Sequence, residues 1–175
     1  RFDEKEVGQA VDITTGAIKD DSDNNNDGIA SNTAWANYAT GKFGRCLSFD
    51  GNDYVNYGTG ASLNIANAIT IEAWAKPSSL SGTGRGIMGR HTGSTDGGGT
   101  VRLVDANVQV VTNIGGSYTS FDTTNSPITV SEWNHIVYVY NGSVEKIYVN
   151  GAEKASRNNS GVIYIKAGIA HRQTA

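Results

Sequence analysis

Two Asn-Gly pairs, Asn141-Gly142 and Asn150-Gly151, separate runs in which apolar and polar residues alternate, and this spacing constrains the chain more than any other feature. Alternation puts successive side chains on opposite faces of a strand, one face in a core and one outside. Asn-Gly is a strong hairpin signal because both residues tolerate positive φ. The stretch from His135 to Ala155 therefore reads as a three-stranded antiparallel meander. Short β-rich runs between Gly, Asn, Asp and Ser clusters recur along the chain: Cys46–Phe49, Tyr54–Tyr57, Ile69–Ala75, Gly86–Gly89, Thr100–Val104, Val108–Thr112, Ser117–Asp122, Asn134–Tyr140, Glu145–Val149 and Val162–Ile165. Helical periodicity is nearly absent, so the fold class is all-β.

With 175 residues, the chain has room for one hydrophobic core, and residues 1–175 are read as a single domain. A composition of 38% hydrophobic and 18% charged residues excludes a disordered chain. The net charge of −3 argues against binding a phosphate backbone, and hence against a nucleic-acid partner. No apolar run approaches the length of about 20 residues that spans a bilayer, so membrane insertion is not expected. Cys46 has no second cysteine to pair with, and it alternates with apolar residues as a small buried side chain. The first residue is Arg1 and no signal peptide precedes it, which suggests a processed chain or a fragment.

Several segments resemble laminin-G-like jelly-roll domains of the concanavalin A-like kind. They are Thr40 to Val55 (Thr-Gly-Lys-Phe-Gly-Arg-Cys-Leu-Ser-Phe-Asp-Gly-Asn-Asp-Tyr-Val), Ser62–Ile65 followed by Ile69–Pro77, and Glu132 to Gly151. Arg1–Glu4 and Asp21–Gly28 resemble the opening of that family. The resemblance implies a two-sheet antiparallel β-sandwich of roughly a dozen strands, found in secreted or cell-surface proteins. It also implies that part of the first strand and the terminal strand lie outside this chain. A groove would then be left beside Ile69–Ala75 and His135–Tyr140, through which copies could self-assemble. The family binds glycans or surface proteins or serves as a spacer, and fold alone does not choose among these.

Catalytic chemistry finds little support in the residues. A glycoside hydrolase needs two carboxylates about 5–9 Å apart across a cleft. Glu72 stands on its strand without an acidic partner at the required position. His91, His135 and His171 accompany no nucleophile motif, and the glycine-rich loop His91–Gly99 lacks the following helix that cradles phosphate. Hard oxygen donors do recur at alternate positions: Asp21, Asp23, Asn25 and Asp27, followed by Gly28. Such a loop can close round Ca²⁺, which takes roughly six to eight oxygens, and a structural Ca²⁺ is expected there. An EF-hand register from Asp23 fails at its twelfth position, which is Ala34. The bland reading of the segment is a solvated Asx-rich turn.

A sugar face packs on an exposed aromatic ring. Trp35, Tyr38, Tyr57 and Tyr118 lie in or near loops and are the candidate ligand contacts. Trp74 and Trp133 read as core residues. Asn141-Gly142-Ser143 and Asn158-Asn159-Ser160 fit the N-glycosylation pattern. The function these features favour is a non-catalytic recognition or adhesion module, with a glycan or surface protein as partner. The alternative is a structural subunit of a surface fibre, appendage or viral particle, and a glycoside hydrolase comes last.

Overall fold

The alternation seen in the sequence becomes alternation of burial. A computed structural model describes residues 11–12, 17–31, 38–51, 53–81, 84–89 and 99–164. In chain order the strands are β1 (Val11–Asp12), β2 (Ala17–Ile18), β3 (Gly28–Ser31), β4 (Tyr38–Thr40), β5 (Arg45–Leu47), β6 (Tyr54–Asn56), β7 (Ile69–Ala75), β8 (Arg85–Gly89), β9 (Thr100–Val104), β10 (Asn107–Ile114), β11 (Ser117–Asp122), β12 (Asn134–Tyr140), β13 (Val144–Val149) and β14 (Ala152–Asn158). In β10 and β12 every second residue is buried along the whole strand, as a strand with one face in a core requires.

Two four-stranded antiparallel sheets carry the core. One runs β11-β10-β9-β8, and the other runs β14-β13-β12-β7. Val101, Leu103, Val108, Val110 and Ile114 from the first meet Ile71, Ile136, Tyr138, Tyr140, Ile147 and Val149 from the second in a single buried cluster. This is the antiparallel β-sandwich that the sequence implied, and burying a side chain of this kind contributes about 1.5–3 kcal/mol. A further sheet runs β1-β2-β3-β6, and β4 pairs with β5 as a hairpin.

The two Asn-Gly turns differ. Asn150 and Gly151 both have positive φ, at 51° and 80°, as the tight hairpin demands. At Asn141-Gly142 only the glycine has positive φ. There the Asn141 side chain closes the turn instead, its Oδ1 accepting the N–H groups of Ser143 at 3.0 Å and Val144 at 2.8 Å. Asn150 also closes the far end of the meander, where its Oδ1 accepts the His135 N–H at 2.9 Å.

Among the described residues no groove of the expected kind opens between β7 and β12, while β7 is the edge strand of its sheet. β12 pairs with β7 from Asn134 to Tyr140 and with β13 from Ile136 to Tyr140. Both edges of β12 are thus filled by this chain's own strands, and no strand can insert between β7 and β12. Of the run expected at Val162–Ile165, the described residues 162–164 make a single bridge, Ile163 to Ile114.

Candidate functional site

Register across the β8–β11 sheet assembles the site. In β10, Val108, Val110, Thr112 and Ile114 face the core, so Gln109, Val111 and Asn113 face outward. Directly opposed residues share a face. Gln109 therefore stands in one outer row with Arg102 on β9 and Asp122 on β11. Asn113 stands in another row with Tyr118 on β11. The segment after β14 completes this second row. Ile163 bridges Ile114 and turns inward, while the Tyr164 N–H donates to the Asn113 carbonyl at 2.9 Å. Tyr164 and Tyr118 thus flank Asn113 across two strand spacings, about 10 Å.

Both rings are open to solvent, Tyr118 at 42% and Tyr164 at 44% exposure. Between them, Asn113 Oδ1 is buried and accepts no hydrogen bond. A buried acceptor without a donor costs about 1–3 kcal/mol, and a ligand hydroxyl would meet this oxygen only if the Asn113 side chain turned out from the sheet. In the other row the Arg102 Nε–H donates to Gln109 Oε1 at 2.6 Å, holding both long side chains against the sheet. Gly86, opposite Arg102 on β8, adds no side chain. The face as a whole offers ring surface at one end and fixed polar groups at the other.

Of the ligand contacts expected from the sequence, Tyr118 lies on this face. Trp35 is outside the described residues, as are His91 and His171. Tyr38 lies in β4, and its side chain is outside the described part. Tyr57 is half-buried: Gly28 has no Cβ, and one built there would lie 2.7 Å from the Tyr57 ring and 2.5 Å from Val55. The missing methyl seats the ring against β3. Burial, with the Asp20 charge behind it, pushes the Tyr57 phenol far above its usual range, so this side chain is neutral and offers no open platform. Tyr164, Asn113, Arg102, Gln109 and Asp122 were not singled out by the sequence. The parity of β10 was available there, but the register joining three strands was not.

Trp74 is a correction. Ile69 and Ile71 share one face of β7, and Trp74, at even spacing from Thr70 and Glu72, lies on the other with 38% exposure. It stacks on His135 with centroids 4.7 Å apart, and meets Phe43, from the β4–β5 turn, edge-on at 5.7 Å. Lys42 Nζ lies 5.3 Å from the ring centre. The group pins the β4–β5 hairpin to the outer face of β7 and β12. Trp133 precedes β12 and is half-buried. Glu72 Oε1 is bonded to His135 Nε2 at 2.9 Å. The next carboxylate in its row, Glu153, lies three strands away, about 14 Å, too far for a hydrolase pair.

The acidic loop is built round a residue the sequence reading passed over. The Asp20 carboxylate accepts the Ser22 N–H at 2.9 Å, the Ser22 hydroxyl at 2.8 Å and the Asn26 N–H at 2.8 Å. The Ser22 N–H, aided by the other donors and opposed by partial burial, holds its pKa below the ordinary value. Asp27 Oδ1 accepts the Asp20 N–H, and Asn25 Nδ2 donates to the Asp23 carbonyl. Asp21, Asp23, Asn25 and Asp27 are exposed. In this arrangement no three acidic, His or Cys side chains among the described residues converge as metal ligands.

Between the sheets lies a buried carboxylate, Glu145, at 0% exposure. Its Oε1 accepts from the Tyr138 hydroxyl at 2.9 Å and the Thr112 hydroxyl at 3.0 Å. Its Oε2 accepts from Arg157 Nε at 2.5 Å and Asn159 Nδ2 at 2.8 Å. Arg157 continues to the Ser120 carbonyl and the Thr119 hydroxyl of β11. Every oxygen is satisfied from within, so this is a clasp between the sheets rather than a reactive group.

Comparison with known proteins agrees with the fold. Domain 4 of AbnA, a GH43 extracellular arabinanase from Geobacillus stearothermophilus solved with arabinotriose, matches at 22% identity and TM-score 0.59, covering 78% of this chain and 66% of that one. The botulinum neurotoxin serotype D binding domain matches at 16% identity and TM-score 0.65, covering 91% of this chain and 41% of that one. Mouse laminin α1 domains LG4-5 match at 14% identity and TM-score 0.58, covering 73% of this chain and 35% of that one. The chain thus spans less than two thirds of each of these structures, and at such identities the likeness is one of fold. A search of curated proteins finds no match. The family model described as the concanavalin A-like lectin/glucanases superfamily, a laminin-G group, matches residues 49–171. With well over half its length matched and the sandwich in place, the chain belongs to the concanavalin A-like lectin/glucanase superfamily.

Proposed function

We infer that this chain is a non-catalytic recognition module of a secreted or cell-surface protein, and that it binds a saccharide on the outer face of the β8–β11 sheet. The observation that carries the reading is the Tyr118–Asn113–Tyr164 row: two open rings on one plane of the sheet, with an acceptor between them that lacks a donor. A sugar offers the complement of this, an apolar C–H face for the rings and hydroxyls for the amide. The arabinotriose held by the AbnA domain supports the same reading. Among the described residues the next carboxylate in the row of Glu72, Glu153, stands beyond hydrolytic spacing, which favours binding over turnover. Replacing Tyr118 and Tyr164 together with Ala is expected to weaken saccharide binding at least about tenfold, measured by calorimetry on a hit from a glycan array. An array without hits, or binding indifferent to both substitutions, overturns the reading in favour of a surface-protein partner.

Calcium in the loop from Asp20 to Asp27 is a separate proposal. It rests on four exposed oxygen donors, Asp21, Asp23, Asn25 and Asp27, in a loop already bent back by Asp20. Binding requires Asp23 and Asp27 to turn toward one centre.

A further inference from the structure

Arg85 opens β8, and its register opposite Leu103 of β9 turns it toward the inner side of the sandwich, where it is only 9% exposed. Its Nη2 donates to the Ser81 carbonyl and, at 3.5 Å, to Ser79 Oγ. Its Nε and Nη1 are buried and donate to nothing, and no acidic side chain among the described residues forms an ion pair with it. A buried charge without a counter-charge is costly, and each unmet N–H adds to the cost. We propose that Arg85, with Ser79 and Ser81, is an anion site, and that its ligand is a small free oxyanion, a phosphate or a carboxylate.

The chemistry of the set selects the ligand. Ser79 Oγ and Ser81 Oγ lie 3.0 Å apart and share one hydrogen bond, whichever of them donates. One hydroxyl hydrogen is therefore left over. Together with the Nε and Nη1 hydrogens it makes a group of donors carrying a positive charge, and guanidinium donors suit oxyanions. The donors are held before any ligand arrives: the Ser81 N–H donates to Ser79 Oγ at 3.3 Å, and both serines hold Nη2, so little freedom is lost on binding. The position allows entry. β8 is an edge strand of its sheet, the two serines come from the connection between β7 and β8, and Ser81 is exposed. The guanidinium thus sits at the rim of the sandwich, one short loop from solvent. The site is on the opposite side of the sheet from the tyrosine row and does not rest on the saccharide reading.

The test titrates the whole chain with inorganic phosphate and, separately, with acetate, against sodium chloride at matched ionic strength. The Arg85 Nε–H signal in nitrogen-correlated NMR spectra is expected to shift saturably with at least one oxyanion, with a Kd of about 1 mM or tighter. The melting temperature is expected to rise with the same anion, which stabilises the folded state by mass action. The tighter of the two anions decides between a phosphate and a carboxylate occupant. In Arg85→Met, a neutral side chain of similar length, the response to the anion is expected to vanish, with the melt in chloride unchanged or raised because no buried charge is left unpaired. Ser79→Ala keeps the cation and is expected to weaken binding about fivefold. No saturable shift with either anion, or a rise in melting temperature that Arg85→Met retains, overturns the site. A large fall in the Arg85→Met melt in chloride overturns it as well, because the guanidinium would then already be paired.

Discussion

Trp74 shows how one step of parity changes a residue's energetics. A buried tryptophan replaced by alanine costs about 3–5 kcal/mol, the value expected of a core position. On the outer face, with the ring more than one third exposed, what is lost is the stack on His135 and the edge contact with Phe43. Trp74→Ala is therefore expected to cost about 1–2 kcal/mol, and a denaturant melt shifted by a full core penalty would return Trp74 to the interior. Glu145 is the opposite case. Burial alone would raise its pKa, but the donors from Arg157, Asn159 and Tyr138 outweigh burial and hold it below the ordinary value. A depressed folded pKa contributes stability above the unfolded value, about 4.3, and that contribution is lost as pH falls through the folded value. Glu145→Gln leaves Arg157 without its charge partner. It is expected to cost about 3 kcal/mol, the low end for a broken buried pair because Arg157 is a quarter exposed. It should also flatten the acid limb of the stability curve, and a variant that loses stability with acid as steeply as the parent refutes the role. The inward face of Glu145 was legible, since it shares parity with Ile147 and Val149. Its partners were not, because Thr112 and Arg157 come from strands whose pairing no local pattern specifies.

At the scale of elements, long alternating runs were readable and short ones were not. β7, β9, β11 and β12 fall where alternation and flanking turns place them. β2 and β3 escaped notice because strands of two and four residues carry no period. The β3–β6 pairing depends on a contact between distant residues, the Tyr57 ring seated against Gly28. The same distance effect hid the candidate site, whose rows draw on β9, β10, β11 and the stretch at Ile163. The acidic loop is an element of its own, and its dependence on an ion is directly measurable. If calcium is structural there, a chelator lowers the melting temperature, because a ligand that binds only the folded state stabilises it by mass action. Asp23→Asn with Asp27→Asn should remove that difference. Identical melts with and without chelator would mean that Asp20 and its hydrogen bonds suffice.

Considered as a whole molecule, the order of strands along the chain has a kinetic consequence. β8, β9, β10 and β11 form one sheet from neighbours in sequence, whereas β7 and β12 pair Ala75 with Asn134 across that entire insertion. Bringing distant segments together loses loop entropy before any contact is gained. The hairpins of the inserted sheet therefore have a head start, and once formed they shorten the effective gap that β7 and β12 must close. Val110→Ala, in the inserted sheet, is expected to slow refolding, while Ile71→Val, in β7, should chiefly speed unfolding. The reverse pattern in stopped-flow kinetics would show that β7 and β12 meet first. On this account the sheet that carries the candidate ligand face is also the template on which the rest of the sandwich condenses. Residues selected there for recognition are then under a second constraint, the speed with which the chain reaches its native state.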